Sequence, residues 1–79
     1  MFKNKAPGGK LNICGNQVAK LRKEQGISQR GLADELQLKG LDLGKNAIQQ
    51  IESGTRFVTD IELKTIAEYF GCTMETLAD

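Results

Sequence analysis

The segment from Thr59 to Gly71 restricts what this chain can fold into more than any other stretch. Leu63, Ile66, Ala67 and Phe70 recur at i, i+3, i+4 and i+7, which lines up one face of an α-helix. Ile61 stands close to that face. Thr59 and Glu62 make a T-x-x-E box, in which each side chain satisfies a backbone N–H that the first helical turn leaves open. Gly71 supplies the stop. A helix apolar on one side only must be covered by something else. With 79 residues in all, the cover has to come from other short elements of one small domain, and a chain this size buries only about 60 to 65 % of its unfolded surface.

The remaining segments offer that cover. Val18, Ala19 and Leu21 mark a first helix over residues 16–25, which Gly26 stops and Ile27 follows as a further anchor. Ser28 is a natural N-cap for a second helix that buries Leu32, Ala33 and Leu36, carries Leu38 near its end and stops at Gly40. Gly31 occupies the place where a Glu would complete its capping box. Residues 39–43 connect to the next helix, and because Leu41 and Leu43 alternate around Asp42, at least one of them is expected to tuck under the loop.

Residues 44–54 read GKNAIQQIESG. Ile48 and Ile51 anchor one face of a short third helix, and Gly54 ends it in the left-handed conformation that glycine tolerates best. Its start is open between two positions. Either Gly44 lies just outside the helix, or Asp42 caps a longer one and Gly44 sits inside at a cost of about 1 kcal/mol relative to Ala. Thr55 to Val58 then form a loop, and Thr73 caps a last short turn whose Met74 and Leu77 close the core. The expectation is an all-α, compact five-helix domain over residues 15–79, with Phe57, Tyr69 and Phe70 as packing aromatics.

Charge is unevenly distributed. Residues 1–30 hold Lys3, Lys5, Lys10, Lys20, Arg22, Lys23 and Arg30 against Glu24 alone, whereas residues 31–79 hold four basic and nine acidic side chains. One end should attract a polyanion and the other repel it. Residues 1–14 have no helical or strand period and are expected to form a flexible basic arm, either a frayed terminus or a source of extra phosphate contacts. There is no apolar run of the roughly 20 residues a membrane span needs, nor an apolar centre of a signal peptide near Met1, so a cytoplasmic location is expected. Cys14 and Cys72 stand 58 positions apart in a chain without histidine, which offers neither metal-ligand spacing nor a Cys-His nucleophile. Free thiols, no metal, no cofactor and no catalytic site are the corresponding expectations, since Asp34, Glu35, Asp60 and Glu62 fall near helix starts, where acids favour the dipole.

Leu21-Arg22, Ile27-Ser28-Gln29, Leu32-Ala33-x-x-Leu36, Ile48-x-x-Ile51-Glu52-Ser53-Gly54, Ile66-Ala67 and Gly71, in this order, resemble the lambda-repressor-like (Cro/repressor, xenobiotic-response-element-type) helix-turn-helix transcription regulators. The likeness spans residues 16–79. It implies that the third helix enters the major groove of double-stranded DNA, with Lys45, Asn46, Gln49 and Gln50 at base edges. Gln29 at the start of the second helix, and Ser53, Thr55 and Arg56 beyond the third, are then phosphate contacts, and Arg30 shares with Gln29 an exposed helix N-terminus whose N–H groups and dipole favour an anion such as phosphate. Arg22 and Glu52 would form a partly buried ion pair. One departure stands out: the family joins its second and third helices by three or four residues, and residues 37–44 hold about five more than that.

The resemblance further implies an operator-binding repressor of bacterial or phage origin that acts as a homodimer, at least on DNA, and needs no small-molecule ligand. A rival expectation, favoured by the near-neutral net charge of +1, is an adaptor or antitoxin-like module that presents the same helices to a protein.

Overall fold

A computed structural model describes residues 9–78, so Phe2 and the first eight residues of the expected arm lie outside the described residues. Five helices follow one another: α1 (Gly15–Glu24), α2 (Gln29–Leu38), α3 (Lys45–Ser53), α4 (Asp60–Phe70) and α5 (Met74–Leu77). No strand occurs among the described residues. The all-α expectation therefore holds. α3 packs against both α1 and α2, α4 against α2 and α5, and α5 returns to α1.

One core serves all five elements. Val18 of α1, Leu32 and Leu36 of α2, Ile48 and Ile51 of α3, Ile66 of α4 and Leu77 of α5 are fully buried. Each such side chain contributes roughly 2 kcal/mol by leaving water, and they share a single cluster with Cys14, Ala33, Leu43 and Ala67. Burial pushes the Cys14 thiol up from its ordinary range. Both cysteines are free, as expected.

Local signals set most of the boundaries. Ser28 accepts from the Gly31 amide at 2.9 Å, and Thr59 with Glu62 completes the expected capping box. Each of the four long helices ends the same way. The N–H of Ile27, Leu41, Thr55 or Cys72 returns to a carbonyl five residues back, past Gly26, Gly40, Gly54 or Gly71. All four of these glycines have positive φ, so this closure suits them and would strain a side chain.

Several apolar residues stay outside the core, Met74 among them against expectation. Leu38 is 82 % exposed and Ile61 70 % exposed: each stands two residues, about 200° of helix, from a core-facing neighbour, Leu36 and Leu63 respectively. Phe57 sits in the loop before α4 with half its surface open, and Met74 is likewise exposed, leaving Leu77 alone to close the core from α5. Tyr69 and Phe70 do pack, edge to face at 5.1 Å.

The long connection resolves into two parts. Gln37 and Leu38 continue α2, which leaves six residues, 39–44, between the helices. Leu43 is buried and Leu41 packs against the core, so both leucines anchor the loop. Gly44, in an extended conformation, stands just outside α3. The alternative start at Asp42 is not adopted.

The chain before α1 is tied down. Asn12 uses both ends of its amide: Nδ2 donates to the carbonyls of Ile51 (3.1 Å) and Arg56 (2.8 Å), and Oδ1 accepts from the amides of Cys14 (3.1 Å) and Gly15 (2.8 Å). It thereby caps the start of α1, which Cys14 does not cap itself, and fastens that start to the far end of α3. The Leu11 N–H adds a bond to the Gly54 carbonyl at 2.8 Å. The expected flexible arm thus does not extend through residues 11–14.

Gly15 makes this approach possible, because a Cβ there would run into the Ile51 carbonyl oxygen and stand 3.0 Å from that of Glu52. Gly15→Ala should cost about 2 kcal/mol, as overpacking against backbone does, measured as a lower urea midpoint with an unchanged m-value.

Candidate nucleic-acid interface

α3 presents a sharply divided surface. At about 100° per residue, Ile48 and Ile51 define the inward direction, and Lys45, Gln49, Ser53, Asn46 and Gln50 fan over an outer arc of about 140° opposite them. All five are exposed. Gly44 offers no side chain to cap the first turn, so the N-terminal amides of α3 add positive potential beside Lys45. The outer arc therefore carries one cation, three carboxamides and a hydroxyl, and no acid.

Its orientation is fixed from the flank. Arg22 of α1 meets Glu52 of α3 through two bonds, Nε to Oε2 at 2.6 Å and Nη2 to Oε1 at 3.1 Å. The two side chains are only 12 % and 8 % exposed. Arg22 also donates to the Ile27 carbonyl at 2.8 Å, which ties the turn after α1 into the same group. The neighbouring carboxylate raises the pKa of the guanidinium further, so Arg22 stays charged across the pH range of folding. This is the ion pair that the resemblance implies.

Gln29 joins it. Its Nε2 donates to Glu52 Oε1 at 3.0 Å, so one carboxylate holds α1, α2 and α3. The second N–H of that amide remains available, and Gln29 is half-buried with its edge at the surface. Arg30, the next residue, is exposed and forms no ion pair within 4.0 Å among the described residues.

Beyond α3 the expected contacts separate. Ser53 and Thr55 place their hydroxyls 3.0 Å apart, and each also reaches the Gln50 carbonyl. Arg56 behaves differently. Its guanidinium grips both oxygens of Glu62, at 3.1 and 3.4 Å, and the Phe57 carbonyl at 3.1 Å. Glu62 closes the α4 capping box as well, so Arg56 braces the start of α4 and much of its charge is answered within the protein. The structure thus brings together Lys45, Asn46, Gln49, Gln50, Ser53 and Thr55, links Gln29 through Glu52, and turns Arg56 aside.

Sequence reasoning missed Asn12, the Gln29–Glu52 bond and the Arg56–Glu62 pair. Asn12 had a signal, an N-cap residue type three positions before Gly15; the other two join residues with no periodic relation.

Comparison with known proteins agrees with the fold. A family model described as helix-turn-helix matches residues 18–77. The chain also superposes on a structure titled "Crystal structure of the DNA-binding domain of BldD", with a TM-score of 0.64 at 24 % identity, over 84 % of this chain and 89 % of that one. No curated protein matches the chain.

Glu52→Ala would leave the Arg22 guanidinium desolvated and Gln29 without its acceptor. The expected loss is about 3 kcal/mol, the lower end of what removing one partner of a buried pair costs. Chemical denaturation should show it, and a variant as stable as the parent would mean that the carboxylate holds nothing.

Proposed function

This chain belongs to the lambda-repressor-like helix-turn-helix family and is a DNA-binding transcriptional regulator, and from that premise we propose that it reads a specific double-stranded operator with α3 and acts there as a repressor. The observation that carries the reading is the acid-free outer arc of α3, held opposite Ile48 and Ile51 on a helix braced by Arg22, Gln29 and Asn12. Lys45 can donate to guanine O6 and N7, and Asn46, Gln49 and Gln50 can pair in bidentate fashion with adenine. Gln49 and Gln50 are the firmest readers, because the anchors Ile48 and Ile51 flank them and fix their register. Lys45 and Asn46 reach base edges from its first turn.

Phosphates on either side are taken by Gln29 and Arg30 at the start of α2 and by Ser53 and Thr55 past the end of α3. Backbone contacts of this kind set the register of the helix in the groove and carry the salt dependence. Arg56 makes the smaller contribution, since Glu62 already holds it.

A homodimer on inverted half-sites about one helical turn apart suits a reader of this size, because one small domain buries too little surface for tight specific binding. The exposed Phe57, Ile61 and Met74 offer apolar surface for such pairing. With DNA as its target, the protein acts in the cytoplasm of a bacterium or on behalf of a phage. Among the described residues, no helix is long and apolar enough to cross a membrane.

Selection from random duplex DNA at two salt concentrations tests this, with Gln50→Ala in parallel. The parent should recover a motif with inverted half-sites and lose affinity steeply with salt. The variant should lose about 1 to 3 kcal/mol of affinity for the selected site per half-site and relax the base preference at one position of each. Weak binding without any motif at both salts would instead assign the α3 face to a protein partner.

A further inference from the structure

We propose that Lys10 completes a phosphate seat at the C-terminal end of α3, together with the hydroxyls of Ser53 and Thr55. The inference rests on the DNA-binding reading and adds to it a cation from before the first helix.

Three observations converge on this place. The stem of Lys10 lies flat over Gly54: a Cβ on that glycine would come within 2.8 Å of both Cγ and Cδ of the lysine and 3.0 Å of its Cβ. The backbone is fixed there as well, through the bond from the Leu11 N–H to the Gly54 carbonyl. With Cδ against Gly54, the ammonium is only two bonds further on and must lie beside the turn formed by Ser53, Gly54 and Thr55. Lys10 is exposed, and no carboxylate lies within 4.0 Å of its ammonium, since the ion pairs among the described residues are Arg22–Glu52 and Arg56–Glu62.

The hydroxyls have a proton to offer. Ser53 Oγ and Thr55 Oγ1 are 3.0 Å apart and both approach the Gln50 carbonyl, at 3.2 and 3.4 Å. One O–H satisfies that carbonyl, which leaves the other free to turn outward to an anionic oxygen. Ser53 also lies in the middle of the exposed arc of α3, so the seat opens on the same side as Gln49 and Gln50. A free ammonium and a free hydroxyl, with the nearest guanidinium occupied by Glu62, make Lys10 the cation that a DNA phosphate would meet here.

A competing role is purely internal, in which the lysine offsets the negative end of the α3 dipole. The salt dependence of binding separates the two. Lys10→Met keeps an unbranched chain over Gly54 and removes the charge, Lys10→Gln is a second neutral variant in case Met packs poorly, and Lys10→Arg keeps the charge. Each full-length variant is titrated with a duplex carrying the selected site and with a random duplex across a salt series. For a phosphate contact, the slope of log Kobs against log salt becomes shallower by about 0.9 for each protomer bound, in both neutral variants. Affinity at low salt falls by a similar factor on both duplexes, and Lys10→Arg restores slope and affinity. Neutral variants with the parental slope overturn the seat while leaving the DNA reading intact, even if their melting temperatures fall. A parent protein without salt-dependent binding overturns both.

Discussion

The carboxylate of Glu52 is the point on which the arrangement of the helices turns. It accepts from Arg22 of α1 and Gln29 of α2 while belonging to α3, and it does so almost out of water. A short helix of nine residues has little intrinsic tendency to hold its shape in isolation, and two isoleucines alone leave it free to roll about its own axis. The apolar contact says which side goes in. The charged and hydrogen-bonded group, being directional, says at what angle.

The other end of α3 is held by different means. Asn12 gives its whole amide to joining the start of α1 to the last turn of α3 and the loop beyond. Arg56, through Glu62, fixes the start of α4 against the same loop. The side chains that serve recognition therefore need no structural duties. Lys45, Asn46, Gln49 and Gln50 form no bond to the rest of the domain through their side chains among the described residues, and their full donor and acceptor capacity faces outward. A rigid helix favours selective binding because its backbone needs no further ordering when the partner arrives, and only the uncommitted side chains have to settle.

What could be read in the sequence follows the range of the interaction. Thr59 with Glu62, Ser28 with Gly31 and the glycines after each helix act within a few residues, and they are legible as motifs. The outer arc of α3 is legible too, because helical phase alone puts Gln49 and Gln50 opposite the isoleucines. Phase also sets the limit. Leu38 and Ile61 stand two residues from core positions in sequence, and that step of helix carries a side chain to the other face. The Arg22–Glu52 pair could be anticipated only from resemblance to a family. Asn12 reaches 39 and 44 positions along the chain to its acceptors, and no periodicity marks such a bond. The same holds for the amide of Gln29, part of which Glu52 claims across 23 positions.

The six residues between α2 and α3 have a consequence of their own. Leu41 and Leu43 are each seated on the core, Gly40 closes α2, and Gly44 lets α3 begin afresh from an extended backbone. The connection is pinned at both ends, and α3 is held besides by Glu52 and Asn12. Around the pins Lys39 and Asp42 are exposed, so their side chains can change without disturbing the seated leucines, which makes this the place where the domain can take on a label or a new contact at little cost to its grip on the helix.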